Sequence, residues 1–294
     1  MKKSANRHNE MANELKDEGK IAEAIDHYLK AIEADPQWSP PWYNLGLLHK
    51  YQCDWEQSLR CNQKAAELDP EDEAAWWNLG IAATAIGNWN EARRAWRTYG
   101  IKIPDGDGPI EEDFGFTPIR LNPDCDGEVV WCDRIDPARA IIKNIPLPDS
   151  EHRYKDLVLH DGAPCGYRML EGKEVPVFDE LQLLLPSEFG TYTITVDGAT
   201  TDDVEVLVDL TLEGDLFAED WSNLRLICRA CSEGNPSNEA HDHDHDYGAH
   251  ENRRVAIAAR SENEVHQILK RWKEKAPNVE IVEVACALTP ALVN

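Results

Sequence analysis

A 34-residue period governs how the first third of this 294-residue chain can fold. Trp42-Tyr43-Asn44-Leu45-Gly46 recurs as Trp76-Trp77-Asn78-Leu79-Gly80. The same offset carries Asp54-Trp55 onto Asn88-Trp89, Ser58 onto Ala92 and Pro70 onto Pro104. Shifted back, it finds a fainter copy in Gly19, Ala24, Ala31 and Pro36. A period of this length marks a supersecondary unit that cannot bury its own apolar face and must stack on copies of itself. The spacing predicts three helical hairpins, over 5–38, 39–72 and 73–106.

Each repeated position has a physical reason. Gly46, Gly80 and Ala12 on first helices, with Ala24, Ser58 and Ala92 on second helices, are small enough for the paired helices to approach closely. Trp42 and Trp76 offer large rings to bury between hairpins. Gly19 and Gly87 suit the turn between helices, and Pro36, Pro70 and Pro104 stop the second helix. This pattern resembles the tetratricopeptide repeat (TPR) family. The first copy, with His8 and Met11 in place of Trp and Leu, reads as a capping repeat.

The resemblance implies an α-solenoid whose first helices line a groove for a peptide or partner protein. Its groove positions fall on Asn9, Asn13 and Lys16, on Tyr43, Leu47 and Lys50, and on Trp77, Ile81 and Thr84. One branch of the family grips C-terminal carboxylates of chaperones through a Lys/Asn/Arg clamp. The matching places here hold Asn9, Asn13, Asn44, Ala74 and Asn78, so the clamp cations are missing. Tyr43, Leu47, Trp77 and Ile81 suit an apolar or aromatic segment instead.

Charge divides the chain. Residues 1–106 hold 13 of the 30 Lys and Arg and 17 of the 55 Asp and Glu, which leaves −21 of the net −25 to residues 107–294. An acidic surface repels phosphate backbones, which argues against nucleic acid and for a basic protein or a metal cation. No run of about 18 apolar residues is present to cross a membrane. The basic start lacks the apolar stretch of a secretory signal. Eight sparse cysteines fit a reducing cytoplasm better than a disulfide scaffold.

The stretch from Pro104 to Pro109 ends the helical period, and 107–113 reads as a linker. Short apolar runs at 116–121, 128–132, 140–145, 156–160, 175–178 and 181–185, with turn signals between them, predict a small β-barrel-like segment over 114–187. Cys132 and His160, each beside an aspartate, form the one catalytic pairing to weigh there. A cysteine on an apolar strand is more often a core residue, so no catalytic residue is assigned.

The last third, 190–294, reads β-α-β-β-α-β, the order of a ferredoxin-like unit. Its elements are strands at 191–196, 224–228, 254–259 and 279–284, with helices at 200–212 and 262–275. A long loop at 228–252 separates the two central strands. It opens with Cys228-Arg229-Ala230-Cys231 and continues through His241, His243, His245 and His250. Two thiolates at C-x2-C spacing with imidazoles downstream have the ligand types and count of a tetrahedral zinc site. The fold class expected is therefore multidomain α plus α+β. The function expected is a non-enzymatic docking adaptor with a zinc-binding loop. A metal-responsive regulator and an immunity-type acidic inhibitor of a basic partner are the alternatives.

Overall fold

The computed structural model describes residues 2–125, 127–222 and 252–291. It divides into two compact units, Met1–Glu112 with Asp136–Ala138, and Asp113–Ile135 with Arg139–Asn294.

The first unit holds three helix pairs: α1 (Lys2–Asp17) and α2 (Ile21–Ala34), α3 (Ser39–Tyr51) and α4 (Trp55–Leu68), α5 (Glu73–Ala85) and α6 (Trp89–Tyr99). The turn inside each pair contains one left-handed residue: Gly19, Cys53 and Gly87, with φ of 75°, 55° and 69°. The second repeat thus places a cysteine where glycine is the cheaper residue. Asp54 and Asn88 cap the helices that follow by accepting from Gln57 N and Glu91 N. Close approach is literal. A Cβ on Gly46 would lie 2.7 Å from the Asn62 side chain, and one on Gly80 would lie 2.6 Å from the Trp96 ring. Trp42 and Trp76 donate their indole N–H to the carbonyls of Pro36 and Pro70, at 3.2 and 2.9 Å. Each tryptophan thereby ties its hairpin to the proline that ended the preceding one. After α6 the buried Arg93 donates to the carbonyls of Pro104, Gly108 and Pro109, which orders the start of the linker.

The second unit holds two sheets. β1 (Phe116–Leu121), β2 (Glu128–Arg134), β3 (Arg139–Ile142), β4 (Leu157–Leu170) and β5 (Lys173–Leu185) run antiparallel in succession, and β5 pairs back with β1 in parallel, closing a barrel. Its core is Ile119, Leu121, Val130, Cys132, Ala140, Ile142 and Val158. His160-Asp161-Gly162-Ala163-Pro164, one of the turn signals between the apolar runs, does not reverse the chain. β4 runs through it, with four shifts of register between Leu157 and Gly166, and the reversal comes at Glu171-Gly172. Both turn residues are left-handed, with φ of 49° and 79°, as a tight two-residue hairpin demands.

The other sheet has the order β7-β8-β6-β9, with every neighbouring pair antiparallel. It is built from β6 (Gly190–Asp197), α7 (Thr201–Glu213), β7 (Phe217–Asp220), β8 (Asn252–Ala259), α8 (Glu262–Lys275) and β9 (Glu280–Leu288). α7 forms despite its β-branched residues because Thr200 and Asp203 make a reciprocal capping box. Tyr192, Ile194 and Val196 of β6 pack with Leu207 and Leu210 of α7 and Ile268, Leu269 and Trp272 of α8. The strand expected at 224–228 lies outside the described residues, and among the described residues β7 is the strand between α7 and β8. β7 is short and ends Glu219-Asp220, so little in its composition announces a strand.

Candidate functional site

α1, α3 and α5 carry the groove positions, and the structure links them in polar rungs. Asn44 Nδ2 on α3 donates to Asn9 Oδ1 on α1 at 3.0 Å. Lys50 Nζ, also on α3, donates to Asn78 Oδ1 on α5 at 3.1 Å and lies 4.6 Å from the Tyr51 ring centroid. Lys50 is only 3% exposed, so this cation is held inside the protein with its amide partner. Asn13 turns to its own hairpin instead, where Tyr28 Oη on α2 donates to its Oδ1 at 2.6 Å. Burial pushes the Tyr28 phenol up to about 12, so it stays a donor at any ordinary pH.

The apolar positions divide differently. Ile81 is fully buried. Trp77 meets the rings of Trp96 and Tyr99 edge-on, with centroids 5.1 and 4.8 Å away. Tyr43, Leu47 and Trp77 are half-buried and carry the exposed part of this set. In the first copy His8 and His27 face each other with Nδ1 atoms 3.2 Å apart.

Residues 12–52 match the family model for the TPR repeat. The match runs from α1 through α2 and the whole of α3, one hairpin and the first helix of the next. No curated protein matches the chain. Solved structures resemble the TPR region over about a third of its chain. The second TPR of Spaghetti (RPAP3), bound to the HSP90 peptide SRMEEVD, is 26% identical with a TM-score of 0.32, covering 33% of this chain and 91% of that one. The first TPR of the same protein, with the same peptide, is 23% identical with a TM-score of 0.32, covering 34% and 79%. The Arabidopsis OM64 TPR domain is 18% identical with a TM-score of 0.31, covering 33% and 80%.

Cys228, Cys231, His241, His243, His245 and His250 lie outside the described residues. Cys132 is fully buried, and its thiol reaches the Val130 carbonyl of its own strand at 3.9 Å. Burial, reinforced by Asp133 and Glu180, drives its pKa far up, so no thiolate forms there. His160 has no exposed surface. Its Nδ1 bonds the Asp161 carbonyl at 2.7 Å, and burial together with Arg134 lowers its pKa to about 4. It is a neutral core histidine. Among the described residues no helix is long and apolar enough to cross a membrane.

One cluster in the second unit has no sequence motif. His152 follows a short 3-10 turn (Pro148–Ser150) and is buried with Glu180 of β5 at 2.6 Å between Nε2 and Oε1. Its Nδ1 lies 2.7 Å from the Ser150 carbonyl. The Ser150 carbonyl can only accept, and the Glu180 carboxylate accepts when ionised, so the arrangement favours a proton on each ring nitrogen. Burial alone would lower its pKa, but the bond to Glu180 and that carboxylate's charge outweigh it and the net shift is upward. Asn122 closes the ring: its N–H donates to Glu180 Oε2 at 3.1 Å and its Nδ2 to the Ser150 carbonyl at 2.9 Å. These residues floor a cleft of about 800 Å³. With both nitrogens donating, His152 has no lone pair to act as a base, and the pair braces the barrel end.

Proposed function

We propose that this protein is a cytoplasmic, non-enzymatic adaptor whose TPR region docks a peptide or partner protein along α1, α3 and α5. The TPR match over 12–52 carries this reading. The inner face supports a ligand with an apolar or aromatic side chain. Lys50 is buried with Asn78, while the half-buried Tyr43, Leu47 and Trp77 present the accessible apolar surface. Aromatic anchors of this kind carry most of the energy in peptide interfaces. The test is a peptide library selected on the intact protein, followed by affinity measurement on Tyr43→Ala and Leu47→Asp. Each variant is expected to weaken the selected peptides about tenfold or more, about 1.4 kcal/mol. Unchanged affinity in both variants overturns the reading.

In the same reading β1–β5 form a small barrel domain, and β6 to β9 with α7 and α8 form a ferredoxin-like domain. What supports the latter is the observed strand order, with the first and third strands central and all pairs antiparallel. Cys228, Cys231 and the histidines 241, 243, 245 and 250 are assigned to zinc on ligand chemistry alone. Metal analysis of untagged protein tests that part, with about one zinc per chain expected and none contradicting it.

A further inference from the structure

The connection between β3 and β4 is held by titratable side chains drawn from both sheets of the second unit. Glu219 of β7 accepts from Asn144 Nδ2 at 2.8 Å and from Ile145 N at 3.1 Å. Glu128 of β2 accepts from Leu147 N with both oxygens, at 3.2 and 3.0 Å. Further along, His152 is paired with Glu180, and Asp156 accepts from Ser187 N at 2.7 Å and Arg153 N at 2.8 Å. Two carboxylates, one from each sheet, thus grip a single four-residue stretch, 144–147.

We propose that Glu128 and Glu219 form a proton-operated joint between the barrel and the four-stranded sheet, closed when Glu128 is protonated and loosened when both carboxylates are charged. Two half-buried anions on one short segment repel each other in a medium that screens them poorly. The neighbouring charges relieve this only in part. His152 attracts Glu128 but is committed to Glu180. Asp156 adds a further anion to the same connection. Among the cations, Lys143 is paired with Asp133 at 3.1 Å, Arg120 holds Asp179 through two bonds, and Arg153 donates to the carbonyls of Thr289 and Glu151.

Burial and like charge act in the same direction on this pair. Burial is the largest influence on Glu128 and raises its pKa; the Leu147 amide opposes, Glu219 reinforces and His152 opposes, for a result of about 7. Glu219 is also raised, chiefly by burial. The folded state therefore holds more protons than the unfolded chain between the ordinary carboxylate value and neutrality. Stability is fully present below that window and declines as pH rises through it.

The experiment is urea unfolding of the full chain between pH 4.5 and 8.5, wild type against Glu128→Gln, which keeps the shape and the acceptor for Leu147 without the charge. The ratio of wild-type to variant unfolding constants is expected to rise by up to about tenfold per pH unit up to about pH 7, then level off. Parallel curves overturn the proposal. A carbon-13 titration of the Glu128 carboxyl in wild type covers the case in which the variant fails to fold. A midpoint near 7 upholds the joint, and one at the ordinary glutamate value overturns it. Exchange of the Ile145 and Leu147 amides, corrected for intrinsic base catalysis, should accelerate as that carboxyl ionises; constant protection overturns the loosening.

Discussion

The helical repeats and the β-rich unit satisfy their interior polar groups in different ways. In the repeats several of the partners are neutral: Asn62 bonds Ser58 within one helix, Ser58 bonds the Gly46 carbonyl within one hairpin, and Asn44 meets Asn9 on the neighbouring first helix. In the second unit they are charged and distant in sequence. His152 meets Glu180, Asn122 meets Glu180, and Asn144 meets Glu219 across 75 positions. Neutral bonds of this kind do not change with protonation. Distant charged bonds make the second unit answer to protons.

The largest expected effects test whether each unit has its own core. Trp96→Ala and Trp272→Ala each empty a fully buried site and should cost about 3–5 kcal/mol. Hydrogen exchange read by mass spectrometry should show Trp96→Ala loosening α5 and α6, and Trp272→Ala loosening α7, α8 and their sheet. Spread of either effect evenly over the chain would erase the comparison. Next comes Glu180→Ala, which strands the buried imidazolium and should cost about 3–5 kcal/mol when unfolding is followed in urea at pH 6. The His152 contribution is fully present below its unfolded pKa of 6.5 and is lost as pH rises through its elevated folded value. The cost of Glu180→Ala should therefore shrink toward alkaline pH. Gly80→Ala pushes a methyl into Trp96 and should cost about 1–3 kcal/mol. The smallest effects are gains. Cys53→Gly in the repeats and Glu171→Asn in the barrel hairpin relieve left-handed strain and should each add up to about 1 kcal/mol in the same assay.

The two units also differ in how much their sequences disclose. The repeats were legible because their determinants recur at one offset: Gly46 and Gly80, Trp42 and Trp76, and the prolines that close each hairpin. The left-handed Cys53 was hidden, since only its alignment with Gly19 and Gly87 marks it. In the second unit the β-strand runs were visible, but the bulged course of β4 past Pro164 was not. A Gly-Ala-Pro stretch signals a turn, and only strand pairing shows the chain continuing through it. The groove residues were legible as positions, whereas the burial of Ile81 and the capture of Asn13 by Tyr28 depend on the neighbouring helix. Glu128, His152, Glu180 and Glu219 form no motif; folding alone assembles them. The strand at 224–228 and the zinc set fall outside the described residues.

The docking account rests on the inner face of the repeats. The most direct measurement is amide chemical-shift mapping of a selected peptide titrated into the intact protein. The account predicts perturbations concentrated on Asn44, Leu47 and Trp77 and their neighbours along α3 and α5. Perturbations confined to the barrel or the four-stranded sheet, with these helices silent, would contradict it.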